Sequence, residues 1–322
     1  HVSKIINFDG KSSSDKLIIS LSEFYQKYED KKFNIEALTQ HPVDIKQQTA
    51  MIFLSSGTTG PSKGVETTVG NLISVIDQYT TSLLNVDTFN DKIIAQNIAP
   101  FFHIMGFTNL FLVLFSKRFC SVFLPKFELK LFLETIQRYK VATMTIPPPV
   151  VILLAKNTLV DTYDLTSLRI IISGAAPLSK DLEEQILKKF KHLKIFTGYG
   201  LSEANIVIYN IELKTPMIGS IGKLMKGVHA KVIDGDGKIL GANEIGEICL
   251  KGPLIMKGYY KNPKATADTI KDGWLYTGDL GYYDDDHKFY IVDRLKELIK
   301  YKAFQVPPAE LEGLLLAHPR IK

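Results

Sequence analysis

Cysteine is scarce: the chain holds two in 322 residues, Cys120 and Cys249. Both lie in apolar stretches without metal-ligand spacing. That excludes a disulfide scaffold and a cysteine zinc site, and it fits a reducing compartment. Long apolar runs are missing as well. A membrane-spanning helix needs about 18 consecutive apolar residues. Thr108–Phe115 is too short, and Val141–Ala155 is interrupted by Pro147, Pro148 and Pro149. No signal peptide, internal repeat or low-complexity segment is visible. Strong charge of one sign is also absent. A net charge of +5 does not demand a nucleic-acid partner. The densest basic run (Lys188, Lys189, Lys191, His192 and Lys194) reads as the solvated end of a helix, where cations complement the dipole.

What is present is a globular pattern. The hydrophobic share of 45% is ordinary for a packed protein, and 322 residues exceed one ordinary core. Strands and helices alternate from Ile93 to Thr197, which predicts an α/β fold: a mostly parallel sheet covered by helices on both faces. A helix is expected over Thr67–Leu84, with Val69, Leu72, Ile73, Ile76, Tyr79 and Leu83 on one face. Another is expected after Ser179 as N-cap. Past Asn205 the texture changes to short strands, with a hairpin around Asp234, Gly235, Asp236 and Gly237. The expected division is 1–204 for the α/β portion and 205–293 for a small β-rich subdomain. Residues 294–322 read as a hinge and the start of a C-terminal α+β domain. The first residue is His1 rather than Met, and both ends fall inside patterned segments, so a fragment is expected.

The chain is organised around one loop: Ser55, Ser56, Gly57, Thr58, Thr59, Gly60, Pro61, Ser62, Lys63 and Gly64. The apolar run Ala50–Leu54 before it reads as a buried strand. Its glycines let backbone N–H groups approach a ligand, and its hydroxyls and the Lys63 ammonium add donors. Such a loop suits a polyphosphate. It is not a Walker A loop, because Gly64 follows Lys63 where a magnesium-binding Ser or Thr is required. A plain surface turn is the alternative reading of the loop taken alone.

Five further stretches follow in order. They are Pro100–Gly106, Ser173–Leu178, Gly198–Glu203 (Gly-Tyr-Gly-Leu-Ser-Glu), Gly273–Asp279 (Gly-Trp-Leu-Tyr-Thr-Gly-Asp) and Asp293–Lys302. Together with the loop they resemble the signatures of the AMP-forming acyl-adenylate superfamily. The texture is most similar to 4-coumarate–CoA ligases and insect luciferase-like fatty acyl-CoA synthetases. The resemblance implies a carboxylic acid activated by ATP to acyl-AMP with loss of pyrophosphate, and then transferred to CoA. The acid would be fatty or aryl-propenoic. Two other readings stay open: a luciferase-type monooxygenase acting through an adenylate, and a nucleotide-binding fragment without turnover.

The resemblance also implies roles. Ser55, Thr58, Thr59 and Lys63 would hold the β and γ phosphates, with Ser56, Gly57 and Gly60 also binding the nucleotide, and Ser202 would touch the α phosphate. Glu203 would hold Mg²⁺, since a hard cation takes carboxylate oxygen. Gly174, Ala175, Ala176, Tyr199 and Gly200 would form the adenine slot, and Asp279 and Arg294 would reach the ribose. His103, Phe107 and Ala176 would line the acyl pocket. Lys300, Lys302 and Gln305 would serve the CoA stage, where Ala303 replaces a usual Gly and leaves thioester formation less assured than adenylation. Lys63, Glu203 and Lys300 are the expected catalytic residues. The family's late catalytic lysine has no counterpart here. The implied partners are ATP or AMP, Mg²⁺, CoA and a small carboxylic acid, and the implied location is intracellular, in peroxisome or cytoplasm. Neither the particular acid nor the oligomeric state is legible.

Overall fold

The computed structural model describes residues 5–7, 18–20, 26, 42–55, 62–82, 93–115, 120–209, 218–295, 299–301, 304–306, 311 and 315. The chain divides into two compact units, His1–Val43 and Asp44–Lys322. In the first, β1 (Ile5–Asn7) and β2 (Ile18–Ser20) pair in parallel.

The second unit opens with β3 (Thr49–Ser55) and β4 (Lys63–Thr68), an antiparallel hairpin. This corrects the expected buried strand. Phe53 is buried, whereas Ile52 and Leu54 on the opposite face are exposed, the alternation of a half-covered antiparallel strand. β4 runs straight into α1 (Val69–Ser82). Thr68 makes that junction: its N–H donates to Asn71 Oδ1 at 2.9 Å, and its hydroxyl accepts from Asn71 N at 3.1 Å. These reciprocal bonds satisfy donors left open at a helix start.

The predicted alternation follows. Its members are β5 (Ile94–Asn97), α2 (Ile104–Phe115), β6 (Cys120–Phe123), α3 (Leu129–Tyr139), β7 (Thr143–Ile146), α4 (Pro148–Lys156), β8 (Ile170–Ser173), α5 (Lys180–Lys189) and β9 (Lys194–Leu201). Proline at the first positions of α4 needs no N–H partner, so the run that breaks a membrane span instead starts a helix. Ser179 caps α5 as expected, accepting from Leu182 N at 3.3 Å.

The β-rich part supplies β10 (Asn205–Tyr209), β11 (Lys223–Leu224), β12 (His229–Ile233), β13 (Gly246–Lys251), β14 (Gly258–Tyr259), α6 (Pro263–Thr269), β15 (Ile270–Lys271), β16 (Trp274–Tyr283) and β17 (Phe289–Arg294). The expected turn at Asp234 forms, with its Oδ1 accepting from Asp236 N and Lys238 N. Two short strands, β18 (Ile299–Tyr301) and β19 (Phe304–Val306), pair antiparallel.

Among the described residues the main sheet has the order β11-β10-β9-β8-β7-β5-β6. Its strands β5 to β9 run parallel, and β10 and β11 add antiparallel pairs. Strand pairing therefore continues past residue 204, where a subdomain boundary was expected. A second sheet, β12-β13-β16-β15 with β17 on β16, is antiparallel. A third, β14-β4-β3, joins Tyr259 to the early hairpin.

Successive residues of the central strands face opposite cores. Ile171 and Ile195 join a cluster with Phe132, Leu133 and Ile136 of α3, Leu154 of α4 and Ile186 of α5. Ile170 and Phe196 join the other cluster, with Tyr79 of α1 and Val232, Leu250 and Leu275 of the antiparallel sheet. One face of the main sheet is thus covered by helices, and the other by one helix together with a second sheet. Each fully buried Leu or Ile contributes roughly 1.5–3 kcal/mol of hydrophobic stabilisation. No helix among the described residues is long and apolar enough to cross a membrane.

Candidate active site

Two of the stretches singled out in the sequence lie at the C-terminal ends of β8 and β9, where open parallel sheets place ligands. Gly174, Ala175 and Ala176 follow β8 directly. Ala175 sits at φ +72°, a left-handed conformation that costs a residue with a Cβ and that gathers at functional turns. Tyr199 and Gly200 lie inside β9. Gly200 is required by packing, because a Cβ there would lie 2.2 Å from the Asn205 carbonyl oxygen. The chain reverses through Ser202 and Glu203 into β10.

Asp279 is the anchor of one side. It sits on β16 opposite Arg294 of β17 and is only 4% exposed. The Tyr199 hydroxyl donates to its Oδ2 at 2.6 Å, and Arg294 Nε lies 3.3 Å from its Oδ1. Burial, the Asp279 charge and this hydrogen bond push the Tyr199 phenol well above its ordinary pKa, so it stays a donor. An ionised carboxylate offers two acceptor oxygens, a chemistry suited to a diol. The sequence placed Asp279 after a turn glycine. The structure instead makes it a nearly buried strand residue held between a phenol and a guanidinium.

Lys63 and Glu203 define the other side. Lys63 opens β4, opposite Ser55 at the end of β3. Ser55 is buried. Ser56, Gly57, Thr58, Thr59 and Gly60 lie outside the described residues. The Glu203 carbonyl accepts from Met256 N at 2.8 Å, and its Oε1 accepts from the Tyr259 hydroxyl at 2.8 Å. Lys63 Nζ stands 4.7 Å from the centroid of the same Tyr259 ring. Sequence reasoning missed Tyr259, since a lone tyrosine in a Gly-Tyr-Tyr run carries no spacing signal. Only the β14–β4 pairing brings it here. The Asn71 side-chain amide fixes the approach to that strand, donating to the carbonyls of Pro253 and Ile255.

No group of three or more His, Cys, Asp or Glu suited to a metal occurs among the described residues. A single carboxylate, Glu203, is still the donor set that Mg²⁺ uses when phosphates and waters complete its shell. The residues therefore fit a nucleotide-borne magnesium better than a resident metal.

His103 lies in the exposed turn before α2, and its Nδ1 accepts from Met105 N at 3.2 Å. Desolvation lowers its pKa, which favours the neutral ring. Phe107 packs on Phe53 of β3, with centroids 5.3 Å apart. Asn205 Nδ2 donates to Thr108 Oγ1 at 3.1 Å, tying α2 to the chain just past Glu203. Ala176 is exposed beside β8. Lys300 and Gln305 are backbone register partners on the β18–β19 hairpin, which forms its own two-stranded sheet. Lys302 and Ala303 lie outside the described residues. Cys249 is buried, whereas Cys120 is exposed on β6 despite its apolar neighbours in sequence.

The chain is similar in sequence and overall structure to known proteins. A probable 4-coumarate–CoA ligase of Dictyostelium discoideum is 48% identical over 282 residues, covering 87% of this chain and 51% of that protein. A 4-coumarate–CoA ligase of Arabidopsis thaliana is 46% identical over 275 residues, covering 83% and 49%. The chain thus spans about half the length of these relatives. Among solved structures, the O-succinylbenzoate coenzyme A synthetase of Bacillus subtilis, in complex with ATP and a magnesium ion, superposes with a TM-score of 0.78 at 29% identity. That match covers 94% of this chain and 60% of the other. A luciferase-like enzyme from the nonluminescent mealworm Zophobas morio gives 0.77 at 28% identity, covering 92% and 67%. Residues 2–260 match the AMP-binding enzyme family, and the chain belongs to it.

Proposed function

We propose that the protein activates a carboxylic acid with ATP and passes the acyl group to CoA. In the first step a carboxylate oxygen of the acid bonds to the α-phosphorus as the bond to pyrophosphate breaks, giving acyl-AMP. In the second the CoA thiol attacks the acyl carbon and AMP leaves. The observation that carries this reading is the pairing of two charged groups along β9 and the turn after it. Tyr199 reaches the Asp279–Arg294 pair, and Glu203, just beyond, reaches Tyr259 and through it Lys63. A ribose diol suits the first group and phosphates the second. The identity to 4-coumarate–CoA ligases supports an aryl-propenoic acid ahead of a fatty acid.

In this reading Asp279 accepts both ribose hydroxyls, and Arg294 orients its carboxylate. Gly174, Ala175, Ala176 and Gly200 offer backbone and small side chains to adenine beside the Tyr199 ring. Ser202 donates to the α phosphate. Lys63 and the hydroxyls of the 55–60 loop hold the β and γ phosphates, a task of positioning and charge stabilisation. A magnesium ion bound at Glu203 would neutralise phosphate charge. His103, Phe107 and Ala176 line the acyl side, and Lys300, Lys302 and Gln305 serve the thiol stage.

The test is acid-dependent exchange of labelled pyrophosphate into ATP by the full-length protein, across fatty and aryl-propenoic acids. AMP release on adding CoA is expected with the best acid. Light emission with luciferin and no AMP release with CoA would replace the ligase by an oxygenase. No exchange with any acid would leave nucleotide binding alone. Glu203→Gln should lower the exchange rate about a hundredfold if the acid serves the transition state.

A further inference from the structure

We propose that Tyr259 is a positioning residue that sets both phosphate-side charges at once. Its hydroxyl orients the Glu203 carboxylate, and its ring seats the Lys63 ammonium. The inference rests on the proposed nucleotide chemistry and adds a residue that no motif points to.

Lys63 and Glu203 carry opposite charges on different elements, and among the described residues they form no ion pair with each other. A direct pair would spend each charge on the other. Tyr259 touches both instead: Glu203 Oε1 at 2.8 Å through its hydroxyl, and Lys63 Nζ at 4.7 Å from its ring centroid. An ammonium over an aromatic face is held by the ring quadrupole yet keeps its N–H donors for a phosphate. A carboxylate that accepts one phenol hydrogen bond on Oε1 is fixed in orientation, with acceptor sites left for a cation. Groups that orient a metal-binding carboxylate in this way strongly affect metal affinity.

Tyr259 is itself immobilised. It is 7% exposed, pairs with Val65 of β4, and its N–H donates to Thr266 Oγ1 at 2.8 Å. Burial, followed by the Glu203 charge and hydrogen bond, raises its phenol pKa far above neutral, so the proton stays on the donor. A tyrosine present only for packing would not need its two ends at a cation and an anion expected to meet the same ligand.

The experiment uses the full-length protein with Mn²⁺ as the spectroscopic substitute for Mg²⁺ and adenylyl imidodiphosphate as the nucleotide. Mn²⁺ binding is followed by electron paramagnetic resonance. Tyr259→Phe keeps the ring and loses the hydroxyl. Mn²⁺ affinity should fall about tenfold, while AMP affinity, read on the Asp279 side, stays at the wild-type value and reports an intact fold. In a Glu203→Gln background the same change should have no further effect on Mn²⁺. Tyr259→Leu should in addition weaken metal-free adenylyl imidodiphosphate several-fold through loss of the Lys63 seat. If Tyr259→Leu does not fold, Tyr259→Phe decides alone. Wild-type Mn²⁺ affinity in Tyr259→Phe, or an equal loss with and without Glu203, would overturn the proposal. Normal acid-dependent exchange with unchanged Mn²⁺ affinity would reject Tyr259 and keep the reaction. Absent exchange with weakened Mn²⁺ affinity would reject the reaction and keep Tyr259.

Discussion

The parallel strands β5–β9 and the antiparallel strands β12–β17 contribute to the site in different ways. The parallel part offers strand ends: a left-handed Ala175, a Gly200 with no room for a Cβ, and small side chains around them. It contributes shape and backbone. The antiparallel part offers anchored side chains, Asp279 and Arg294, held in register across β16 and β17. It contributes charge. Parallel strands are buried on both faces and leave only their ends for ligands, whereas antiparallel strands can turn a polar residue toward a ligand along their length. The cores differ accordingly. The helix-covered core, with Leu154 at 0% exposure, is built from the α/β part alone, while the other core spans both sheets.

Four measurements break or sharpen this contrast. The largest effect is expected from Leu154→Ala in the helix-covered core, which should lose about 2–5 kcal/mol of stability to denaturant. AMP affinity at low temperature should not move, and a parallel loss of affinity would show that the helix-covered core shapes the site after all. Next comes Asp279→Ala, which removes a charged acceptor from the antiparallel side. Calorimetry should find AMP weakened by roughly 1.5–3 kcal/mol, and unchanged affinity would take Asp279 out of the site. Smaller still, Ser179→Ala removes the α5 cap and should cost about 1 kcal/mol in thermal unfolding, again without a change in AMP affinity. The smallest effect concerns the thiols. Burial pushes Cys249 up to about 12, so the neutral thiol persists at mildly alkaline pH. Cys120 is exposed. Ellman's reagent should modify Cys120 in the folded protein and Cys249 only after unfolding, with stability untouched. Fast reaction of both would mean that the antiparallel sheet opens readily.

Much of the α/β part was legible because period carries it. The helix stripe over Thr67–Leu84 and the Ser179 cap are local signals, and the structure reproduces them within a few residues. The motifs were legible because their residue types suit a polyphosphate, a diol and a hard cation. Pairing partners were not. Nothing local says that Ala50–Leu54 faces β4 rather than sitting inside the main sheet, or that Ile52 and Leu54 are exposed. The long strand β16 was hidden behind its Gly-rich motif, and the exposure of Cys120 behind apolar neighbours. Register between distant strands is fixed by which faces are buried together, and that is a property of the whole fold.

The sequence by itself determined the alternation of β5 to β9, the caps and turns, and the order of the motif stretches along the chain. Each depends on interactions within a few residues along the chain. Tertiary structure alone decided that Tyr199 donates to Asp279, that Arg294 lies opposite Asp279, and that Tyr259 meets both Lys63 and Glu203. These partners are far apart in the chain. They meet because strand pairing and a shared hydrophobic core position their backbones, and no local preference encodes that distance.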